Sequence, residues 1–144
     1  MLVHTTAKAM HTMTKEERND LLRDLTSRVI YNVVVECTEE ENENVRFNSI
    51  LTFDHLDSLR LGIQLFVIRP LLRPMSSMTS EEREELSSMY NAISKPSDGI
   101  SRNAIDVVKI FDWLNKHMFD YNHLIERGLA IEAPTWAYNT NKMK

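Results

Sequence analysis

Apolar residues recur along this chain in three rhythms, and the changes between them divide it into elements. Thr14-Lys15-Glu16-Glu17 reads as a capping box, the threonine accepting from the N3 amide while Glu17 reaches back. The helix it opens runs to about residue 26, and its apolar face is only Leu21, Leu22 and Leu25, so it must lie against other elements. The rhythm then switches to period two. Val29, Tyr31, Val33, Val35 and Cys37 alternate with residues that include Asn32 and Glu36, which predicts a strand. After an acidic turn at residues 38–44, Val45, Phe47, Leu51 and Phe53 alternate with Arg46, Asn48 and Thr52, and Leu59, Leu61, Ile63, Leu65 and Val67 make a third run. Three alternating runs with short connections predict a three-stranded antiparallel meander, open or closed into a small barrel. The odd-numbered face is the expected core side, because a one-residue slip would bury Arg46 and Arg60.

Pro70 and Pro74 are expected to end regular pairing and to hold Arg69 and Arg73 on a stiff connector. Thr79-Ser80-Glu81-Glu82 is a second capping box, opening a helix with Leu86, Met89, Tyr90 and Ile93 at i, i+3, i+4 and i+7. Residues 95–99, KPSDG, break it. A third helix over residues 102–117 carries Ala104, Val107, Val108, Phe111, Leu114 and Met118 on one side, with Ile105, Ile110 and Trp113 widening the arc, and is the expected central buried helix. A short helix over residues 121–127 should stop at Gly128 in a left-handed cap, with residues 129–131 returning as an extended segment. The expected architecture is α+β: residues 1–13 a disordered leader, residues 14–139 one domain whose sheet is covered on one face by the helices of residues 79–127, and residues 140–144 a frayed tail.

Composition narrows the function classes. A chain of 144 residues, 42% hydrophobic and 26% charged, buries enough surface to fold without metal or disulfide. Cys37, the single cysteine, ends an apolar alternation and is expected to be a buried thiol in a reducing, cytoplasmic setting. Only three glycines are present, with no phosphate loop and no dinucleotide fingerprint, so no cofactor is expected. No run of eighteen apolar residues suggests a membrane span. The net charge is -4, and Glu39, Glu40, Glu41 and Glu43 match that surplus by themselves. The remaining arginines and lysines are scattered, so general nucleic-acid binding is not expected.

Candidate chemistry concentrates in residues 69–82. Arg69 and Arg73 stand just upstream of Ser76, Ser77 and Thr79, at the amino end of a helix whose unpaired N–H groups favour an anion. Arginine forks and hydroxyls there suit a phosphate or carboxylate. The structural alternative is that Thr79 merely caps the helix while both arginines pair with Glu81, Glu82, Glu84 and Glu85. His117, Asp120, Tyr121 and His123 invite a metal or acid-base reading, but six residues separate the histidines and Asp120 serves more simply as a helix cap. Trp113 belongs to the core by its helix position, whereas Trp136 and Tyr138 are read as the lid of the core, a partner contact or the cover of a ligand ring. Cys37 lacks a placed histidine and Ser76 and Ser77 lack a nucleophile turn, so an enzyme is not expected.

Two stretches, IRPLLRPMSSMTSEE at residues 68–82 and DWLNKHMFDYNHLIERGLAIEAP at residues 112–134, resemble a family of small uncharacterised proteins carried by phages, prophages and mobile elements of gut bacteria. They cover about a quarter of the chain. In that family the position of Met118 is often histidine, and the segment after Pro134 is less aromatic than Thr135-Trp136-Ala137-Tyr138. The resemblance implies a genomic setting and no activity. Together these readings give a non-enzymatic accessory protein, expected to be a homo-oligomer. In one form it captures a small anionic ligand, such as a nucleotide signal of host defence, through Arg69, Arg73, Ser76, Ser77 and Thr79 under Trp136 or Tyr138. In the other it is an adaptor that blocks a host protein. Ligand capture predicts that Arg73→Glu removes binding without changing the fold; the adaptor form predicts the large effect from deleting residues 135–144.

Overall fold

Thr14 caps the first helix as its sequence requires. In the computed structural model, which describes residues 13–39, 41–62, 66–94 and 100–138, its hydroxyl accepts the Glu17 N–H at 3.0 Å and Glu17 Oε1 accepts the Thr14 N–H at 3.1 Å. Helix α1 spans Lys15–Arg28 and buries Leu21 and Leu25 together with Asp24 and Arg28. A 3-10 turn, Val29–Tyr31, and the left-handed Asn32 (φ 57°) lead into the sheet. Strand β1 is Val34–Glu39 and β2 is Arg46–Ile50, paired antiparallel through the acidic turn. The odd-numbered face is buried at Val33, Val35, Cys37 and Leu51, as the alternation predicted, whereas Val45, Phe47 and Phe53 of the second run are exposed.

The third alternating run is not a strand. Leu59 and Leu61 lie in a helix, α2 (Phe53–Leu61), opened by Thr52 and closed by Gly62 at φ 71°. Leu56 and Leu59, three apart, face the core while Leu61 is exposed, so Leu59 fits period two with Leu61 but the helical spacing with Leu56, and the helix wins through its caps. Its capping box places His55 where glutamate or glutamine is the usual signal, which hid the start. Ile63 and Leu65 lie outside the described residues. Val67 belongs to β3, Phe66–Leu72.

The sheet has four strands in the order β2-β1-β3-β4. β1 is antiparallel to both neighbours, and β4 (Ile131–Glu132) runs parallel to β3. The sheet is therefore mixed and open, neither a three-stranded meander nor a barrel, with α2 carrying the chain from β2 over β1 to β3. Pro70 does not end the pairing. It sits inside β3 opposite Val35, and ladder parity turns its missing N–H away from β1, where a proline costs no hydrogen bond. Beyond it Arg73 makes a parallel bridge to Phe119.

The leucines of α1 and α2 pack in one core with Val33, Val35 and Cys37 of the odd-numbered β1 face and with Ile68, because β3 turns its even-numbered residues to that side and the predicted Val67 to the other. The helices after Thr79 do not cover the sheet as expected: α3 (Ser80–Ser94) and α4 (Ile100–Lys116) form a hairpin whose core is a separate cluster of Met78, Ile110, Trp113, Leu114 and Phe119. Only part of the predicted apolar arc of α4 is buried. Ile110, Trp113 and Leu114 are buried while Val107, Val108 and Phe111 are exposed, because the apolar arc is wider than the contact and α3 takes only one sector. The helix expected over residues 121–127 is a set of turns. Asp120 caps them by accepting the N–H groups of Leu124 and Ile125 at 2.9 and 3.0 Å, and Gly128 supplies the left-handed stop at φ 74°.

Met13, the last residue of the expected leader, is buried in the main core. Residues 1–12, the break at 95–99 and the tail at 140–144 lie outside the described residues. Among the described residues no helix is long and apolar enough to cross a membrane.

Candidate functional site

The chain leaves β3 at Leu72, crosses Arg73 and Pro74, makes a 3-10 turn over Met75–Ser77 and enters α3. Opposite this connector runs the segment after β4, anchored where the Ala133 N–H bonds the Leu72 carbonyl at 2.7 Å. Between them lies a cleft of about 480 Å³, lined by Arg73, Pro74, Ser76, Ser77, Thr79, Glu132, Ala133, Pro134, Thr135 and Tyr138. That volume falls in the range of about 300–1,000 Å³ usual for ligand sites. Five of the seven residues singled out in the sequence, Arg73, Ser76, Ser77, Thr79 and Tyr138, thus meet around one space. Arg69 and Trp136 do not line it.

The electrostatics of the cleft differ from the sequence expectation. Arg73 is buried, and both terminal nitrogens bind the Glu82 carboxylate, at 2.8 and 2.7 Å. The same nitrogens reach the carbonyls of His117 and Ser77 at 3.4 Å, and the guanidinium lies 4.2 Å from the Phe119 ring centroid. Glu82 additionally accepts the Thr79 N–H at 2.9 Å and gives its own N–H to the Thr79 hydroxyl, completing the predicted capping box. Burial pushes the Glu82 carboxyl upward, but the hydrogen bonds from Arg73 and Thr79 and the arginine's charge outweigh it and hold the group at about 2. Arg73 is thus a fixed internal countercharge, and Arg73→Glu would set two carboxylates face to face in a buried site. It cannot separate binding from folding as the sequence suggested. Arg69 lies within β3 and pairs with Glu36 across the strands at 3.1 Å.

Tyr138 has a role that neither sequence form included in full. Register places Val34 opposite Leu71, where β1 and β3 would next bond. The Tyr138 hydroxyl stands there instead, accepting the Val34 N–H at 2.9 Å and donating to the Leu71 carbonyl at 2.8 Å. It is an inserted rung of the ladder. Burial is the main cause that pushes its phenol up to about 12, so it stays a donor. Tyr138→Phe is expected to lower stability by about 1–3 kcal/mol, since both backbone groups lose their partner; urea unfolding with an unchanged m value checks this. Deleting residues 135–144 removes the rung along with any contact surface. Trp136, by contrast, is 63% exposed.

The remaining candidates are separated. The His117 ring packs on Trp113, 4.3 Å between centroids, with Nδ1 3.3 Å from Glu82 Oε2, and burial lowers its imidazole below the ordinary range. Asp120 caps the turn after it, Tyr121 donates to Asn115 at 2.8 Å, and His123 is exposed. Among the described residues no three histidine, cysteine, aspartate or glutamate side chains group as metal ligands. Trp113 is core, as its helix position implied. The Cys37 thiol is buried on the odd-numbered face, and burial, with help from Glu36, raises it to about 11.

Sequence reasoning missed the charge cluster of α1. Asp24 and Arg28 are both fully buried and paired at 2.9 and 3.0 Å. Arg28 donates to the Phe119 carbonyl at 2.7 Å, and Asn122 donates to Asp24 at 2.8 Å. The available signal was an i, i+4 Asp-Arg pair on the side of the helix next to Leu21 and Leu25. No family model, curated protein or solved structure matches this chain.

Proposed function

We propose that this protein is a non-enzymatic accessory protein of phage or mobile-element origin that acts in the cytoplasm by binding, and that its ligand is a polypeptide segment of another protein. The observation carrying this reading is the pairing of Arg73 with Glu82. An anion entering the cleft would meet a guanidinium whose two terminal nitrogens are already bound by the Glu82 carboxylate, with Glu132 also in the lining. Three further carboxylates, Glu81, Glu84 and Glu85, lie in the first turns of α3 and repel the same anion. What the cleft offers instead is Pro74, Ala133, Pro134 and the Tyr138 ring for apolar contact, with the hydroxyls of Ser76 and Thr135 for the backbone of an extended chain and the Ser77 hydroxyl, which donates to the Pro74 carbonyl at 2.7 Å, as an acceptor. Trp136 and Met75, exposed beside it in sequence, extend the apolar contact.

The test uses two kinds of probe on the isotopically labelled protein. Peptides enriched by panning a displayed random library are expected to shift the amide signals of Ser76, Ser77 and Thr135 and to lose affinity about tenfold or more in Ser76→Arg. Inorganic phosphate and ATP are expected to leave those signals unmoved. Saturable shifts with phosphate or ATP, without any peptide binder, would return the function to nucleotide capture.

A further inference from the structure

We infer that the outer edge of β2 is a self-pairing interface, at which two copies of this chain join their sheets antiparallel about Asn48. β2 is terminal in the sheet, and among the described residues nothing pairs with its far side. Its backbone parity follows from two flanking bonds. The Leu51 N–H bonds the Val33 carbonyl, and the Glu39 N–H bonds the Val45 carbonyl, so odd-numbered residues of β2 face β1. The N–H and C=O groups of Arg46, Asn48 and Ile50 therefore point outward, an unpaired template of the kind that sheets normally blunt. A second copy satisfies them in one register without a gap: Asn48 opposite its own equivalent and Arg46 opposite Ile50, with every outward group paired. The Ile50 carbonyl already accepts the Ser49 hydroxyl at 3.1 Å and keeps a second lone pair for the partner.

Charge and side-chain shape select the same arrangement. Arg46, the charged residue of the strand, meets the aliphatic Ile50 of the other copy and no like charge. Its guanidinium is folded back onto the Glu43 carbonyl at 2.7 Å, out of the pairing line. On the core face Phe47 is 45% exposed although it points toward the side that α1 and α2 cover, because β2 projects past them. It meets Phe66 edge to face at 5.1 Å. In the dimer the two Phe47 rings become diagonal neighbours about 7–8 Å apart, within reach of aromatic contact, so the row Phe66, Phe47, Phe47, Phe66 runs across the joint.

Sedimentation of the full chain is expected to give twice 16.8 kDa. Asn48→Pro removes one outward N–H while leaving the bonds to β1, and is expected to give a folded protein of 16.8 kDa. Phe47→Lys, which leaves the β2 backbone intact, is expected to do the same and decides the matter if the proline variant does not fold. A wild-type monomer at the highest soluble concentration, or a dimer that survives the folded variants, overturns the interface.

Discussion

Arg28→Met is expected to destabilise the protein by about 3–5 kcal/mol, the range for removing one partner of a buried ion pair. Asp24 would be left fully buried with Asn122 as its remaining donor, and the Phe119 carbonyl would lose its bond from Arg28. The loss reaches beyond α1, because Phe119 packs in the cluster of the α3–α4 hairpin, and Arg28 also lies 5.2 Å from the centroid of Tyr121. The pair thus fastens one core to the other. The double variant Asp24→Leu, Arg28→Met removes both charges and should recover most of the loss, leaving about 1–2 kcal/mol for the orphaned Phe119 carbonyl. Chemical unfolding of the wild type, Asp24→Leu, Arg28→Met and the double variant gives the coupling directly.

Arg73→Met is expected to cost a similar amount, about 3–5 kcal/mol, because Glu82 would remain buried without its countercharge. Here the pH dependence adds a second readout. A carboxyl held at about 2 stabilises the fold fully above its ordinary 4.5, and that contribution is lost as the pH falls from about 4.5 through about 2. His117 acts in the same direction. Its imidazole is lowered by burial, so the fold favours the neutral ring and loses stability as acid protonates it below its ordinary 6.5. Arg73→Met, Glu82→Gln should be more stable than Arg73→Met and should lose the acid dependence between pH 4.5 and 2. A wild-type stability independent of pH over that window would show that the pair carries no such weight.

The clearest sequence signals were local ones. Both capping boxes, at Thr14 and Thr79, are present because their donors and acceptors lie within three residues and need no tertiary partner. The alternation in β1 and the left-handed stop at Gly128 are legible for the same reason. The third alternating run failed because Leu59 fits period two with Leu61 and the helical spacing with Leu56, and the cap that decided between them used a histidine. The left-handed Met118, buried and at φ 62°, left no signal at all, since a glycine is the residue expected to turn a helix end that way.

The candidate site divides along the same line. Ser76, Ser77 and Thr79 were close in sequence, so their gathering at the start of α3 followed from the chain alone. Tyr138 was grouped with them as the cover of a ligand ring, but its role as a rung between Val34 and Leu71 was not legible, because it depends on β4 pairing parallel with β3 sixty residues away. The sequence by itself determined an α+β protein with the helix starts at Thr14 and Thr79, its buried thiol, the odd-numbered buried face of β1 and a concentration of hydroxyls near residues 76–79, all properties of neighbours along the chain. Tertiary structure alone decided the strand order, the side of α4 that is buried and the partners of Arg28, Arg73 and Tyr138. The physical reason is that an ion pair or an inserted rung draws its energy from groups brought together by packing, and a guanidinium reads identically in sequence whether it awaits a phosphate or is already held by Glu82.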